Sequence, residues 1–222
     1  MLRAVSYNIH SGRDLFWRKR LVQMAQTLQE LQPDIIGLQE VHQNSKYGDQ
    51  AAHIAEQLGY EYVFAPSIPL ADGYYGIALL TRLPVASSQV IPLPAKREKR
   101  TLLTVNVTWA GQNISIWNTH CSLNQASRRY QLQRLTELTR AQRDIPRLLM
   151  GDFNSSAISF SPYYVDCAKE LGKESLHTIP AFRRRLDYIF ASHHWQVCSY
   201  ELSPVSWSDH LPVIVDLRLL DA

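Results

Sequence analysis

Only three of the 222 residues are cysteine, Cys121, Cys167 and Cys198. Their number is odd, their spacing wide and no Cys-x-x-Cys occurs. This excludes a zinc ribbon or a disulfide framework and leaves a reducing compartment as the default. No stretch approaches the length of apolar chain that spans a bilayer, so no transmembrane segment is expected. A basic-then-apolar leader with a small-residue cleavage site is also missing, and a cytoplasmic location is the expectation. Neither sign of charge is in large excess: 23 Lys and Arg stand against 20 Asp and Glu, a formal net charge of +3. That mild positive balance suits phosphate-bearing partners without specifying nucleic acid. Internal repeats, low-complexity tracts and linkers are absent too, so residues 1–222 read as a single domain, long enough to bury a sizeable core.

What is present is an alternation of short β-rich runs and helical patterns. Leu2–Ile9 alternates with branched residues and predicts a strand. Leu21, Met24, Ala25, Leu28 and Leu31 recur at helical spacing, and Pro33 stops the pattern. Asp34–Val41 is almost continuously apolar, the sign of a strand buried on both faces. A short helix over Ala51–Leu58 ends at Gly59. Strands follow at Tyr60–Phe64, Ile77–Thr81, Val85–Ile91, Leu102–Trp109 and Ile114–Asn118, the last two joined through Ala110-Gly111-Gln112 as a hairpin. Pro92–Pro94 reads as a turn within a loop. A long helix is predicted over Gln125–Arg143 and a strand over Arg147–Met150, with residues 155–180 mostly loop and short helix. Leu186–Ala191, Gln196–Leu202 and Val213–Leu217 close the chain as strands. Many strands, few helices, and both hairpins and crossovers predict an α+β fold with two packed sheets.

Six short pieces place amides, carboxylates or imidazoles at the ends of apolar runs. They are Ser6-Tyr7-Asn8-Ile9-His10, Leu38-Gln39-Glu40, Asn118-Thr119-His120, Gly151-Asp152-Phe153-Asn154, Arg185-Leu186-Asp187-Tyr188 and Ser208-Asp209-His210. Together they suit a hard divalent cation and in-line attack of water on a phosphorus ester. Singly, each has a plainer reading. Glu40 ends a buried strand, where a carboxylate is expensive unless paired or bound to metal, yet a salt bridge or a helix cap would also satisfy it. Asn8 alone reads as a turn residue. Gly151-Asp152-Phe153-Asn154 sets Asp and Asn two residues apart after a tight turn, so that Asp152 can orient or deprotonate water and Asn154 can hold a phosphoryl oxygen; in isolation it is a turn. Asp187 can hydrogen-bond one nitrogen of His210 and aim the other, which leaves Asp209 as the metal or water-shell candidate. His120 can donate to a phosphate oxygen or be structural. Arg100, in the run Lys96–Arg100, can neutralise phosphate or belong to a solvated face, and Arg183–Arg185 carries the same two readings. Cys121 has no base placed to activate it and reads as core.

With those residues in view, the chain resembles the endonuclease/exonuclease/phosphatase superfamily, which holds DNase I-like nucleases, exonuclease III-type AP endonucleases, neutral sphingomyelinases and inositol polyphosphate 5-phosphatases. The resemblance runs from Ser6 to Val213 with the motifs in family order. It implies a four-layer α/β/β/α sandwich of the DNase I-like kind, two packed mixed or antiparallel sheets flanked by helices, and Mg²⁺- or Mn²⁺-dependent phosphoester hydrolysis. It implies Glu40 as the metal ligand with Asn8 beside it, Asp152 and Asn154 as the water-orienting and phosphate-binding pair, and Asp187, Asp209 and His210 as the closing motifs. His120 then corresponds to the family's Asn-Thr-His histidine and Arg100 to an arginine on the preceding strand. Trp117-Asn118-Thr119-His120 stands where AP endonucleases carry Tyr-x-Pro-Asn, and Gly76-Ile77-Ala78 where the family often has Gly-Asn-Ala. Asp72–Arg82 is similar to the sphingomyelinase-like and small stand-alone bacterial members, which argues against abasic-site repair.

The expected activity is therefore a metal-dependent phosphodiesterase, with metal at Asn8, Glu40 and Asp209, phosphate at Arg100 and Asn154, and His120, Asp152, Asn154, Asp187 and His210 as the catalytic set. The substrate would be a lipid headgroup, another small diester or nucleic acid; no obligate protein partner is evident. Two competing readings are a non-specific DNA or RNA endonuclease or exonuclease, which should show a basic, aromatic-studded groove, and a catalytically inactive binding module. The intact polar set argues against the latter.

Overall fold

A computed structural model describes residues 1–95, 98–141 and 144–220. The strands are β1 (Leu2–Asn8), β2 (Ile35–Asn44), β3 (Gly48–Asp49), β4 (Glu61–Leu70), β5 (Gly73–Thr81), β6 (Val85–Leu93), β7 (Arg100–Trp109), β8 (Gln112–His120), β9 (Arg147–Asp152), β10 (Tyr164–Asp166), β11 (Asp187–Ser192), β12 (Trp195–Leu202) and β13 (Val213–Leu219). The helices are α1 (Leu21–Leu31), α2 (Gln50–Leu58), α3 (Gln125–Ala141) and the single turn α4 (Cys167–Glu170).

One sheet runs in the order β12-β13-β1-β2-β5-β4, with β3 paired to β2. The other runs β10-β11-β9-β8-β7-β6. Each sheet has one parallel pair at its centre, β1 with β2 and β8 with β9. The sheets stack face to face: Ala4, Ile35 and Leu79 from the first share one core with Leu103, Ile116 and Met150 from the second. On the outer face of the first sheet, Val5, Tyr7 and Ile36 meet Met24 and Leu28 of α1 and Ile54 of α2. On the outer face of the second, Trp117, Leu149 and Phe190 meet Leu135 of α3. The result is the expected four-layer α/β/β/α sandwich. Central strands covered on both faces read as unbroken apolar runs for this reason.

Local chemistry ends the elements where expected. Asp49 caps α2 by accepting from the Ala52 amide at 3.0 Å, and Gly59 closes it at φ 69°. Ala110 and Gly111 both take positive φ, 49° and 79°, so β7 and β8 join through a two-residue turn of the kind that follows strand twist. The expectation of a loop at Pro92 is corrected: Pro92 lies within β6, opposite Thr101. β6 is an edge strand paired only with β7, the position in a sheet where proline is tolerated. The predicted end of the long helix at Arg143 falls outside the described residues, as do Lys96 and Arg97 of the basic run. No helix among the described residues is long and apolar enough to cross a membrane.

Candidate active site

Strand register gathers the polar pieces at one edge of the sandwich. Asn8 sits opposite Gln39 across the parallel β1–β2 pair. His120 sits opposite Asp152 across β8–β9, and Asp187 opposite Asp152 across β9–β11. Glu40 occupies a β-bulge: Gln39 pairs with Ile77 and Val41 with Gly76, leaving Glu40 unpaired at φ 59°. A left-handed backbone is costly for a glutamate, and the bulge turns its carboxylate out of the sheet. Gly151 has φ 139°, and a Cβ there would lie 1.9 Å from the Thr119 carbonyl oxygen. Only glycine lets β9 pass β8 this closely before Asp152.

Asn8 joins the two sheets. Its Nδ2 donates to Glu40 Oε1 at 3.1 Å and to Asp152 Oδ2 at 3.0 Å, while its Oδ1 accepts from the His10 amide at 3.0 Å. The amide therefore presents its nitrogen, rather than its oxygen, to the two carboxylates. Asn154, at φ 50°, folds back so that its amide donates to Asp152 Oδ1 at 2.8 Å and its Nδ2 to the Cys121 carbonyl at 2.9 Å. Asp152 is buried against Asp187, and burial first, then that neighbouring charge, raise its carboxyl above the ordinary range.

The two histidines are in opposite states. His210 Nδ1 donates to Asp187 Oδ2 at 2.8 Å, and its Nε2 lies 3.8 Å from Asp152 Oδ2. Burial disfavours its charge, but Asp187, Asp152 and Asp209 outweigh burial and raise it to about 10. His120 is fully buried beside Arg100, and burial followed by that cation holds it well below the ordinary imidazole value. His120 Nδ1 lies 3.0 Å from Arg100 and Nε2 lies 3.2 Å from Asn154 Nδ2; because a guanidinium can only donate, a neutral ring accepts at Nδ1 and carries its proton on Nε2, 3.6 Å from Asp152 Oδ2. Asp152 Oδ2 is thus approached by Asn8, His120 and His210 together.

Arg100 itself is buried, with its other amino group on Glu98 Oε1 at 2.6 Å. Both terminal nitrogens are engaged, so it positions His120 from behind in place of standing free as a fork for phosphate. Of Arg183–Arg185, only Arg184 lines the site; Arg185 is paired with Asp166 and lies over the Tyr188 ring. Cys121 is buried and its thiol is pushed up to about 12, first by burial, which suits a core residue.

Glu40, Arg100, His120, Asp152, Asn154, Asp209 and His210 line a cavity of about 600 Å³ that also takes in His10, Tyr75, Glu98, Leu123, Arg128 and Phe182, whereas Asn8 and Asp187 are buried and do not line it. Sequence reasoning gave no role to His10, Tyr75, Glu98, Arg128 or Phe182. His10 follows Asn8 by two residues, and its Nδ1 comes within 3.7 Å of Asp209 Oδ1. That spacing was the available signal; nothing in the sequence pointed to Tyr75, which arrives from β5.

The donor set fits a hard cation. Glu40 and Asp209 bring carboxylate oxygens to the same cavity, and the bulge frees Glu40 from the strand ladder. Asp152, Asp187 and His210 also bring one ligand atom each within 4.8 Å of one another. His210, however, already spends Nδ1 on Asp187 and is held protonated, a state that cannot ligate metal. The Glu40 and Asp209 side is the better-fitting position.

A family model described as Endonuclease/Exonuclease/phosphatase family matches residues 5–210. Among solved structures, an endonuclease/exonuclease/phosphatase from Beutenbergia cavernae aligns over 100% of this chain and 72% of its own, with TM-score 0.84 and 24% identity. The human Nocturnin catalytic domain with bound sulfate aligns over 98% and 93%, with TM-score 0.77 and 26% identity. D. rerio TDP2 complexed with single-strand DNA product aligns over 98% of both chains, with TM-score 0.80 and 21% identity.

Proposed function

Because the chain belongs to the endonuclease/exonuclease/phosphatase family, we propose that it is a single-domain, divalent-cation-dependent phosphoester hydrolase acting on a phosphodiester. The observation that carries this reading is the convergence on Asp152 Oδ2 of Asn8 Nδ2 at 3.0 Å, His120 Nε2 at 3.6 Å and His210 Nε2 at 3.8 Å, at the floor of an open cavity.

In this reading Asp152 orients water for in-line attack and takes its proton. Burial and Asp187 make Asp152 a stronger base than an ordinary carboxylate, which suits that task near neutral pH. His210, held charged by Asp187, and neutral His120 with its Nε2 proton supply donors where negative charge builds on the phosphoryl oxygens. Asn154 holds the turn that fixes Asp152 and lines the cavity beside it. Glu40 and Asp209, with Asn8 bracing Glu40, would hold Mg²⁺ or Mn²⁺, which when bound neutralises charge on the phosphate and its leaving oxygen. Leu123, Ile179 and Phe182 add apolar wall to the cavity, room for the second ester substituent that distinguishes a diester from a monoester.

The test is hydrolysis of bis(p-nitrophenyl) phosphate beside p-nitrophenyl phosphate. Cation-dependent turnover of the diester, lost in His210→Ala, is expected. Preference for the monoester moves the protein to the phosphatases, and no turnover of either with any divalent ion contradicts the proposal.

A further inference from the structure

The segment between β1 and α1, Arg13–Arg20, places Leu15, Phe16 and Trp17 in succession at an exposed tip. Their exposures are 49%, 75% and 61%, far from the burial such side chains usually reach. The tip is rigid. Asp14, buried beneath it, accepts from the amides of Phe16 at 2.9 Å and Arg18 at 3.0 Å, and from the guanidinium groups of Arg18 at 2.8 Å and Arg20 at 3.0 Å. Arg13 donates to the Trp17 carbonyl at 2.6 Å, and Arg13 and Lys19 bridge across its base. Trp17 has φ 62°, a conformation unfavourable for a bulky residue. A buried carboxylate and a tryptophan in an unfavourable backbone conformation thus hold three large apolar side chains largely in water, a cost that their few contacts with the fold offset only in part.

The tip borders the active site. Leu15 and Phe16 share a groove of about 230 Å³ with Pro180, Ala181 and Asp209, and Asp209 also lines the catalytic cavity. Phe182, 67% exposed, and Leu123, 73% exposed, continue the apolar rim. Within the segment, Arg13, Arg18, Lys19 and Arg20 outnumber one carboxylate, Asp14; Asp209 lies in the adjoining groove, and exposed Arg183 and Arg184 follow Phe182. Apolar side chains ringed by cations are the composition that settles at an anionic membrane interface.

We infer that the Leu15-Phe16-Trp17 tip and the neighbouring Phe182 dock this protein on an anionic lipid surface, with the catalytic cavity facing lipid-linked phosphodiesters. The inference rests on the proposed phosphodiesterase reading for what the cavity receives, but the docking itself needs no turnover. A lipid surface fits better than single-stranded nucleic acid, because stacked bases need open ring faces. Here the Arg18 guanidinium occupies one face of Phe16 at 5.2 Å, His10 meets Trp17 at 5.0 Å in a tilted contact, and Leu15 has no ring to stack on.

The experiment is co-sedimentation of the full chain with vesicles of phosphatidylcholine alone or in equal parts with phosphatidylglycerol, read alongside tryptophan fluorescence and hydrolysis of soluble bis(p-nitrophenyl) phosphate. Binding to the mixed vesicles is expected, with a blue shift absent from Trp17→Phe. Leu15→Ser combined with Phe16→Ser should lower partitioning about tenfold or more and leave soluble-diester turnover unchanged. If that double variant fails to fold, Lys19→Glu, whose side chain makes no ion pair among the described residues, should still weaken binding to the anionic vesicles. Failure to bind either vesicle, partitioning unchanged in these variants, or Phe16-dependent binding of a single-stranded oligonucleotide without vesicle binding would each overturn the inference. Vesicle binding without diester turnover would leave the docking intact and sink the hydrolase reading; turnover without vesicle binding would do the reverse.

Discussion

Asp187→Asn changes one charge in the floor of the site and almost none of its volume. In the native protein Asp187 Oδ2 accepts from His210 Nδ1 at 2.8 Å with both side chains buried. His210 is raised to about 10 although burial opposes its charge, and Asp187 is the largest of the groups that overcome burial. A hydrogen bond to a charged partner contributes about 1.5–3 kcal/mol. Since about 1.4 kcal/mol corresponds to one pH unit, that bond alone accounts for roughly one to two units, and loss of the anion adds to it. The asparagine variant should therefore bring the His210 titration midpoint down by about two pH units or more, leaving it largely neutral above pH 8. NMR titration of the imidazole in chelator-treated protein measures this directly. The same variant should lower kcat for a soluble diester by about 10²–10⁴-fold, since the donor to the developing charge loses its proton and its orientation. A midpoint within one pH unit of wild type, or unchanged kcat, would refute the assignment of Asp187 as the residue that sets the state of His210.

Asn118→Leu tests the seam between the sheets. Asn118 Nδ2 donates to the carbonyls of Leu38 at 3.0 Å and Ala78 at 2.8 Å, and its Oδ1 accepts from Gln39 Nε2 at 2.8 Å, all buried. Leaving those partners unmet should cost about 3–5 kcal/mol and lower Tm by about 10 °C in calorimetry. Gly151→Ala forces a Cβ to within 1.9 Å of the Thr119 oxygen at φ 139°; destabilisation of about 3 kcal/mol or more is expected in denaturant unfolding, and wild-type stability would contradict the close approach. For His210 the folded state is raised to about 10 from 6.5. Its contribution to stability is present in full below pH 6.5 and is lost as pH rises through 10, so urea unfolding of chelator-treated wild type should show a decline across that window that Asp187→Asn largely lacks.

Much of this was legible because motif positions coincide with strand ends. Leu2–Ile9 and Asp34–Val41 are apolar enough to be recognised as strands, and the polar residue that interrupts each marks its open end. The two-sheet fold followed from many strands and few helices. What could not be read depends on long-range register. The bulge that frees Glu40 exists only against β5, where Ile77 and Gly76 pair with its neighbours. Asn8 was expected beside the metal, but nothing in the sequence shows its amide spanning the two sheets. Arg100 looked like a phosphate clamp within a basic run; its engagement by Glu98 and His120 needs the tertiary structure. Asn118 belongs in sequence to the Asn-Thr-His motif, whereas the fold uses it to staple the sheets. Arg13–Arg20 carries no periodicity, and apolar residues among basic ones give no sign of which way they point.

The most direct measurement is turnover of bis(p-nitrophenyl) phosphate by wild type and Glu40→Gln, each with Mg²⁺, with Mn²⁺ and after EDTA. The account predicts hydrolysis by wild type with either cation, abolished by EDTA and restored by added metal, and a loss of about 10³-fold or more in Glu40→Gln at equal fold stability. Wild-type turnover that survives EDTA, or a Glu40→Gln variant as active as wild type, would contradict a cation held at the bulge of β2.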